Sequence, residues 1–151
     1  MTAAPPADRV ALVDRYLQCC EDRELDEAQR LLATDAVLVF PGGRRYASLV
    51  AMAREAAGAY RWVRKHRDRY FQAPLADGDT AVTSLGTLYG EDLAGRPFDG
   101  VRYVDVFVVR AGRISEQHVY NDLALADLAL ADLASASGTN DPPSSRTRYR
   151  P

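Results

Sequence analysis

Asp105 is the residue with the clearest chemical implication in this sequence. It lies between Val104 and Val106, in a run that continues with Phe107 and two more valines. A carboxylate in such apolar surroundings needs a partner or stays protonated, because burial disfavours an unpaired charge. A protonated carboxylic acid donates a hydrogen bond. Asp105 is therefore expected to be buried, with a hydrogen-bonding partner or in its protonated form.

The other candidates for chemistry are Tyr16, early in the first predicted helix, and the two histidines. His66 lies in the arginine-rich segment 61–69. An imidazole exchanges protons near neutral pH and would serve as a general base, although the charged neighbours of His66 also fit a solvated strand face. Strand alternation puts His118 on the face opposite Gln117 and Val119.

Composition narrows the class of protein. The 151 residues fit one domain, and the net charge of −2 argues against a nucleic-acid or anionic-membrane partner. No apolar run approaches the ~20 residues of a membrane span, and the N-terminal residues lack a signal-peptide pattern, so we expect a cytoplasmic protein. The abundance of arginine and alanine suggests a bacterial source; of the 19 basic residues only Lys65 is a lysine.

Metal and cofactor sites are not expected. Two histidines without a matching pattern of Cys, Asp or Glu argue against a metal site. No glycine pattern for phosphate binding is present. Cys19 and Cys20 are adjacent, so on a helix they cannot form an ordinary disulfide with each other, and we expect reduced thiols.

The first half of the sequence predicts helices around one strand. Residues 1–7 are predicted to be a flexible tail, and Asp8 to cap a helix that ends near Glu21. A second helix carries Leu25, Ala28, Leu31 and Leu32 on one stripe. Residues 36–40 form an apolar strand that ends at Pro41, and Ser48 caps a third helix with Leu49, Met52, Ala53, Ala56 and Tyr60 facing inward.

The second half predicts strands over residues 62–73, 80–89, 98–110 and 113–122, joined by short glycine-containing turns. Such turns favour an antiparallel, strongly bent sheet. Residues 123–133 predict a short amphipathic helix. Residues 135–151 are rich in Ser, Pro and Arg and predict disorder, so the single domain is expected over residues 8–134.

This order of elements resembles the nuclear transport factor two-like superfamily, which includes ketosteroid isomerases, limonene-epoxide hydrolases, scytalone dehydratases and SnoaL-like polyketide cyclases. The resemblance covers roughly Val10 to Leu123. It rests on Tyr16 followed by the acidic link Asp22–Asp26, on the helix-to-strand junction Leu32–Val37 and on the closing hairpin Asp105–Ile114. It implies a cone-shaped α+β fold, with a curved antiparallel sheet and three helices around an apolar pocket.

The resemblance also implies roles for single residues. Tyr16 falls where ketosteroid isomerases have the tyrosine of their oxyanion hole, and Asp105 where they have a protonated aspartic acid. Phe40 falls where those enzymes have their general base, so the same isomerisation by the same residues is not expected. Val119 replaces one aspartate of the limonene-epoxide hydrolases. Scytalone dehydratases place a pocket histidine near His66, which makes it the candidate base.

Together with strand alternation, the resemblance implies that the Gln117 face lines the pocket, so His118 is expected on the outer face, at the surface or an interface. The resemblance also predicts the residues that bind the substrate. They are Phe40, Tyr60, Trp62, Tyr103, Phe107, Gln117, Val119 and Asn121. The implied function is that of an isomerase, cyclase or dehydratase, which transfers a proton on a hydrophobic carbonyl-containing or polyketide-like molecule and stabilises the enolate. The alternatives are a binding protein without turnover and a dimeric interaction module.

The strand that contains Asp105 has a second apolar face. Val104, Val106 and Val108 alternate with the Asp105 face, and Tyr120 lies on the neighbouring strand. An apolar face of this kind needs cover. We therefore expect a homodimer that packs through these four residues.

Overall fold

A computed structural model of the chain describes residues 6–125. Three helices precede the long strands: α1 (Pro6–Glu21), α2 (Leu25–Leu31) and α3 (Leu49–Ala57). The strands are β1 (Leu32–Phe40), β2 (Arg44–Tyr46), β3 (Tyr60–Pro74), β4 (Thr80–Asp92), β5 (Pro97–Arg110) and β6 (Arg113–Asn121). They form one six-stranded sheet in the order β2-β1-β6-β5-β4-β3. The predicted α+β fold, with a curved sheet and helices in the N-terminal half, is confirmed.

The helix boundaries follow local chemistry. α1 begins at Pro6, so Asp8, predicted as its cap, lies inside the first turn instead. Proline suits the first turn because its missing N–H has no helical partner there. Ser48 caps α3 as predicted, since its hydroxyl accepts a hydrogen bond from the Ala51 N–H at 3.2 Å. Leu32, predicted to belong to the second helix, already has extended backbone and begins β1.

Two features of the sheet differ from the prediction. β3, β4, β5 and β6 form an antiparallel meander as expected, but β1 pairs with β6 in parallel, so the sheet is mixed. A parallel neighbour requires a long crossover, which α3 and the meander provide. β2, which pairs with the end of β1, was not predicted because it has three residues and no apolar alternation.

The meander bends at two β-bulges in β3, where this strand pairs with β4. The register of β3 shifts between Tyr60 and Trp62 and again between Arg67 and Arg69. Glycines lie opposite these bulges: a Cβ on Gly86 would lie 1.9 Å from the His66 carbonyl oxygen, and one on Gly90 would lie 2.3 Å from that of Trp62. The backbones approach so closely that only glycine fits, and bulges of this kind bend a strand.

The main core lies between the helices and the concave face of the sheet. From α1 it contains Val13, Tyr16 and Leu17, and from the sheet Val82, Phe107 and Ile114. A second cluster of Leu88, Val101, Tyr103 and Leu123 lies at another part of the sheet.

Three regions with sequence-based predictions lie mainly outside the described residues. They are the predicted tails, apart from residues 6 and 7, and most of the predicted helix over 123–133, of which residues 123–125 are helical. Within residues 6–125, no helix is both long and apolar enough to span a membrane.

Candidate functional site

A cavity of about 530 Å³ opens between α1, α3 and the concave face of the sheet. Its wall is mainly aliphatic and aromatic. The apolar and aromatic lining includes Leu17, Phe40, Tyr46, Met52, Tyr60, Val63, Leu88, Tyr103, Val119 and Leu123. Exposed charged residues, among them Arg23, Arg44 and Glu55, belong to its rim. The size and lining are those of a small-molecule site.

An ion pair between Asp105 and Lys65 lies in this cavity. Asp105 is fully buried, and its Oδ2 accepts a hydrogen bond from Lys65 Nζ. The Lys65 ammonium also lies 4.6 Å from the centroid of the Tyr103 ring. The backbone N–H of Lys65 donates to Glu21 Oε1 at 2.9 Å, which links this part of β3 to the end of α1. Asp105 therefore has the partner that its apolar surroundings require.

The other oxygen of Asp105 lacks a donor. Oδ1 is buried, and no described residue hydrogen-bonds to it. Burial raises the pKa of the Asp105 carboxyl, and the Lys65 ammonium partly opposes this shift. The carboxylate is thus a stronger base than a solvated aspartate.

Tyr16 and Gln117 form a second polar pair in the cavity wall. The Tyr16 hydroxyl donates to Gln117 Oε1 at 2.7 Å, and both side chains are buried. The Tyr16 ring packs edge-on against Phe107 at 5.8 Å. Burial raises the pKa of Tyr16 well above its ordinary value, so the phenol stays protonated. Since no hydrogen bond from the Gln117 side-chain nitrogen to a described residue is present, this amide can donate to a ligand.

Two further side chains near these pairs are held in their neutral form. Burial raises the pKa of the Cys20 thiol to about 11. A thiol of this kind is a poor nucleophile. Burial also raises the pKa of Tyr103 to about 12, and its hydroxyl lies 3.0 Å from Ser84 Oγ. Tyr16 and Tyr103 are therefore hydrogen-bonding groups rather than bases.

His66 lies outside the cavity, contrary to the sequence-based assignment. Its side chain is 54% exposed, and the ring stacks on Tyr89 with a centroid distance of 4.2 Å. Strand alternation turns Lys65 towards the cavity and its neighbour His66 away. His118, at 3.0 Å from Glu116 Oε2, also lies outside the cavity, as expected.

Six of the eight predicted substrate-binding residues line the cavity. They are Phe40, Tyr60, Tyr103, Gln117, Val119 and Asn121. Trp62 does not, because it is 42% exposed and packs edge-on against Tyr89; it follows the first bulge of β3. Phe107 is fully buried beneath Tyr16 rather than in the wall.

Lys65 is the functional candidate that sequence reasoning missed. Its neighbours Arg64, His66 and Arg67 made the segment resemble a solvated strand face. The available signal was composition, because Lys65 is the only lysine in a sequence rich in arginine.

A family profile for the SnoaL-like domain matches residues 13–117. The chain belongs to the SnoaL-like domain family. The match includes Tyr16, Lys65, Asp105 and Gln117, and it confirms the predicted nuclear transport factor two-like superfamily. A search of curated proteins finds no match.

Solved structures with the same fold cover most of this SnoaL-like chain. An NTF2-like protein of unknown function from Burkholderia pseudomallei is 18% identical, with a TM-score of 0.69 over 79% of this chain and 94% of that one. A candidate SnoaL-like polyketide cyclase from Shewanella putrefaciens is 13% identical, with a TM-score of 0.65 over 85% and 99%. TerC, co-crystallised with polyporic acid, is 15% identical, with a TM-score of 0.63 over 83% and 97%. Likeness at these identities shows the shared fold.

Proposed function

We propose that this SnoaL-like protein binds a hydrophobic, carbonyl-containing molecule of the polyketide type and transfers a proton on it, with stabilisation of the enolate oxygen. The observation that carries this proposal is the Lys65–Asp105 pair in the wall of a cavity that is otherwise largely apolar. A buried carboxylate beside a partly buried ammonium is costly to maintain, and a carboxyl group of raised pKa in a cleft favours a catalytic or binding role.

The ligand is recognised through its apolar surface and one oxygen atom. Leu88, Val119 and the rings of Tyr60 and Tyr103 offer apolar contact to a fused or extended carbon skeleton. Lys65 and the Gln117 amide offer hydrogen-bond donors. Donors held in place before the reaction stabilise negative charge as it develops on an oxygen. Tyr16 contributes by orienting Gln117, since its hydroxyl proton is already donated to that side chain.

Asp105 is the base in this proposal. Phe40 occupies the position of the ketosteroid isomerase base, and His66 lies outside the cavity. A carboxylate of raised pKa can remove a proton from the carbon beside a carbonyl group and return it elsewhere on the ligand. Isomerisation, cyclisation and dehydration all begin with such a step.

A binding protein without turnover is the second candidate. It is favoured by the burial of Asp105, because Oδ2 is occupied by Lys65 and Oδ1 is not exposed. A ligand proton reaches this carboxylate only if Lys65 moves aside.

One experiment separates the two candidates. Native mass spectrometry of freshly purified protein is used to look for a retained small molecule and to measure binding of α-tetralone, an aromatic ketone. NMR in deuterated water then measures exchange of its α-protons. We expect binding and accelerated exchange for the wild type, and binding without exchange for Asp105→Asn.

His66→Ala is the matched control, because this side chain is also titratable but lies outside the cavity. It should leave the exchange rate unchanged. Binding without accelerated exchange in the wild type would favour the binding protein, and absence of binding would contradict both candidates.

A further inference from the structure

Lys65 stands out among the basic residues of this protein. It is the only lysine among 19 basic residues. Within residues 6–125, every other ion pair uses an arginine or a histidine. Arginine matches a carboxylate better, since its planar fork forms two parallel hydrogen bonds. The single lysine of this sequence is the partner of Asp105. We therefore infer that this position needs a property that arginine lacks.

That property is a primary amine. An ammonium group that loses its proton is a nucleophile, and a buried lysine forms Schiff bases with carbonyl compounds, whereas a guanidinium does not. The Lys65 side chain is 17% exposed and lines the cavity. Cys20, the other nucleophile in the wall, is protonated at neutral pH, as its pKa of about 11 indicates.

The surroundings of Lys65 provide a proton acceptor and a fixed position. Asp105 accepts a hydrogen bond from Nζ, and the Tyr103 ring lies beneath the same group at 4.6 Å. The backbone at Lys65 is tied to Glu21. The amine thus reaches the cavity from a strand that α1 holds in place.

We propose that Lys65 condenses with the carbonyl carbon of an aldehyde or ketone in the cavity to form an iminium ion. The proposal rests on the proposed function, because it names the group that the ligand carbonyl would meet. It makes the preferred ligand an aldehyde or ketone rather than an ester, amide or alcohol.

The reaction balances with the groups present. The Lys65 ammonium passes a proton to Asp105, and the free amine attacks the carbonyl carbon, whose π electrons move to oxygen. The carbonyl oxygen then takes the proton from Asp105. The nitrogen of the new C–N bond returns a proton to Asp105, which gives a neutral carbinolamine. Asp105 then protonates the hydroxyl, water leaves, and the nitrogen lone pair forms the C=N⁺ bond. Burial raises the pKa of Asp105, which suits a group that accepts and returns a proton.

Reductive trapping tests the proposal. The full chain is incubated with naphthaldehyde and sodium cyanoborohydride, which reduces an iminium ion to a stable secondary amine. Peptide mapping by mass spectrometry then compares Lys65 with the α-amino group of the chain, the only other primary amine. We expect Lys65 to be labelled at least roughly tenfold faster in the folded protein than in guanidinium-unfolded protein, since general acid–base assistance is lost on unfolding.

Two variants identify the groups responsible. Lys65→Arg keeps the positive charge and should abolish the adduct at residue 65 while the α-amino group still reacts. Asp105→Asn keeps the shape and should slow labelling of Lys65 by roughly tenfold or more. Circular dichroism and the melting temperature establish that each variant is folded; if Asp105→Asn is not, the comparison of folded with unfolded wild type still decides.

Naphthalenemethanol separates failure of this proposal from failure of the proposed function. The alcohol has the same ring system but cannot form an iminium ion, and native mass spectrometry measures its binding. If the alcohol binds and Lys65 is not trapped, or is trapped no faster than in unfolded protein, the iminium proposal is overturned and the cavity remains a binding site. If neither the alcohol nor the aldehyde binds, both proposals are overturned.

Discussion

Two polar pairs within an apolar cavity, Lys65–Asp105 and Tyr16–Gln117, distinguish this protein at the scale of residues. A buried ion pair contributes little to stability, because desolvation of the two charges offsets their attraction. This is one reason why we propose a role in ligand chemistry for the Lys65–Asp105 pair.

Replacement of this ion pair tests that explanation. Lys65→Met leaves Asp105 without its partner and should lower the free energy of unfolding by about 3–5 kcal/mol. The double variant Lys65→Met/Asp105→Leu removes both charges, so it should be as stable as the wild type or more stable. Urea unfolding of the two single variants and the double variant measures the difference. A double variant that is much less stable than the wild type would show that the pair mainly stabilises the fold.

Tyr16→Phe should affect both stability and binding. The change leaves Gln117 Oε1 buried without its donor, which should lower the free energy of unfolding by about 1–3 kcal/mol. A phenolic ligand such as naphthol should also bind more weakly, because Gln117 is no longer held in place. Chemical unfolding and titration calorimetry measure the two effects. An unchanged affinity would remove Tyr16 from the site.

The sequence predicted only part of this residue-scale chemistry. The valines around Asp105 indicated a buried carboxyl that needs a partner, and its pKa is raised as expected for burial. The identity of the partner was not predictable, because Lys65 and His66 are neighbours and alternate between faces. A displacement of one residue in the alignment of an edge strand changes which of them enters the cavity.

At the scale of elements, the bulges of β3 opposite Gly86 and Gly90 of β4 bend the sheet. Gly86→Ala would place a methyl group against the His66 carbonyl group and should lower the free energy of unfolding by about 1–3 kcal/mol through overpacking. Gly58→Ala is the matched control, because its Cβ would meet nothing closer than 3.4 Å. Thermal and urea unfolding provide the measurement. Equal stability of the two variants would mean that the strands can separate at Gly86 without cost.

The β4–β5 loop should give stability a defined pH dependence. Asp92 accepts hydrogen bonds from the backbone of Ala94 and Arg96 and from the Arg96 side chain. The backbone hydrogen bond from Arg96 is the main cause that lowers the pKa of Asp92. A lowered pKa in the folded state contributes stability above the unfolded value of ~3.9, and this contribution is lost as the pH falls through the folded value.

Asp92→Asn should therefore be less stable than the wild type at pH values near neutrality, and the difference should shrink below about pH 4. Urea unfolding across this range measures it. Asp77→Asn, in the β3–β4 turn, is the comparison, because Asp77 accepts one backbone hydrogen bond there. A difference for Asp92→Asn that is constant with pH would contradict the assignment.

The elements themselves were largely predictable, because short glycine-containing turns separate runs of alternating residues. The meander from β3 to β6 and the cap of α3 at Ser48 are confirmed in this way. The parallel pairing of β1 with β6 was not predictable from such local signals. Gln117 of β6 pairs with Leu38 of β1 but lies far along the chain from it. The two bulges also have no clear pattern in the sequence, and the first of them precedes the misassigned Trp62.

At the scale of the whole molecule, an apolar outer face of the sheet that the single chain leaves partly uncovered indicates self-association. Val104, Val106 and Val108 are only partly covered in the single chain, and Tyr120 is 64% exposed. A second copy would cover this face. We expect a dimer in sedimentation velocity at roughly tens of micromolar protein, since an interface of ordinary size gives sub-micromolar affinity.

Val106→Glu should shift this dimer to monomer, because it places a charge at the centre of the face. Leu93→Glu, at an exposed residue of the β4–β5 loop, should leave the sedimentation coefficient unchanged. A wild-type protein that sediments as a monomer at that concentration would contradict the prediction.

The parallel pairing of β1 with β6 has a consequence for synthesis of the protein. β1 emerges from the ribosome early, but its neighbour β6 is among the last elements of the described chain to be made. Contacts between such distant segments form late, because they close a long loop. The Tyr16–Gln117 and Lys65–Asp105 contacts likewise form only after the later residue of each pair has been synthesised. The nascent chain therefore exposes the apolar faces of its helices and part of the cavity wall until its C-terminal strands are made, and apolar surface that is exposed in this way favours aggregation.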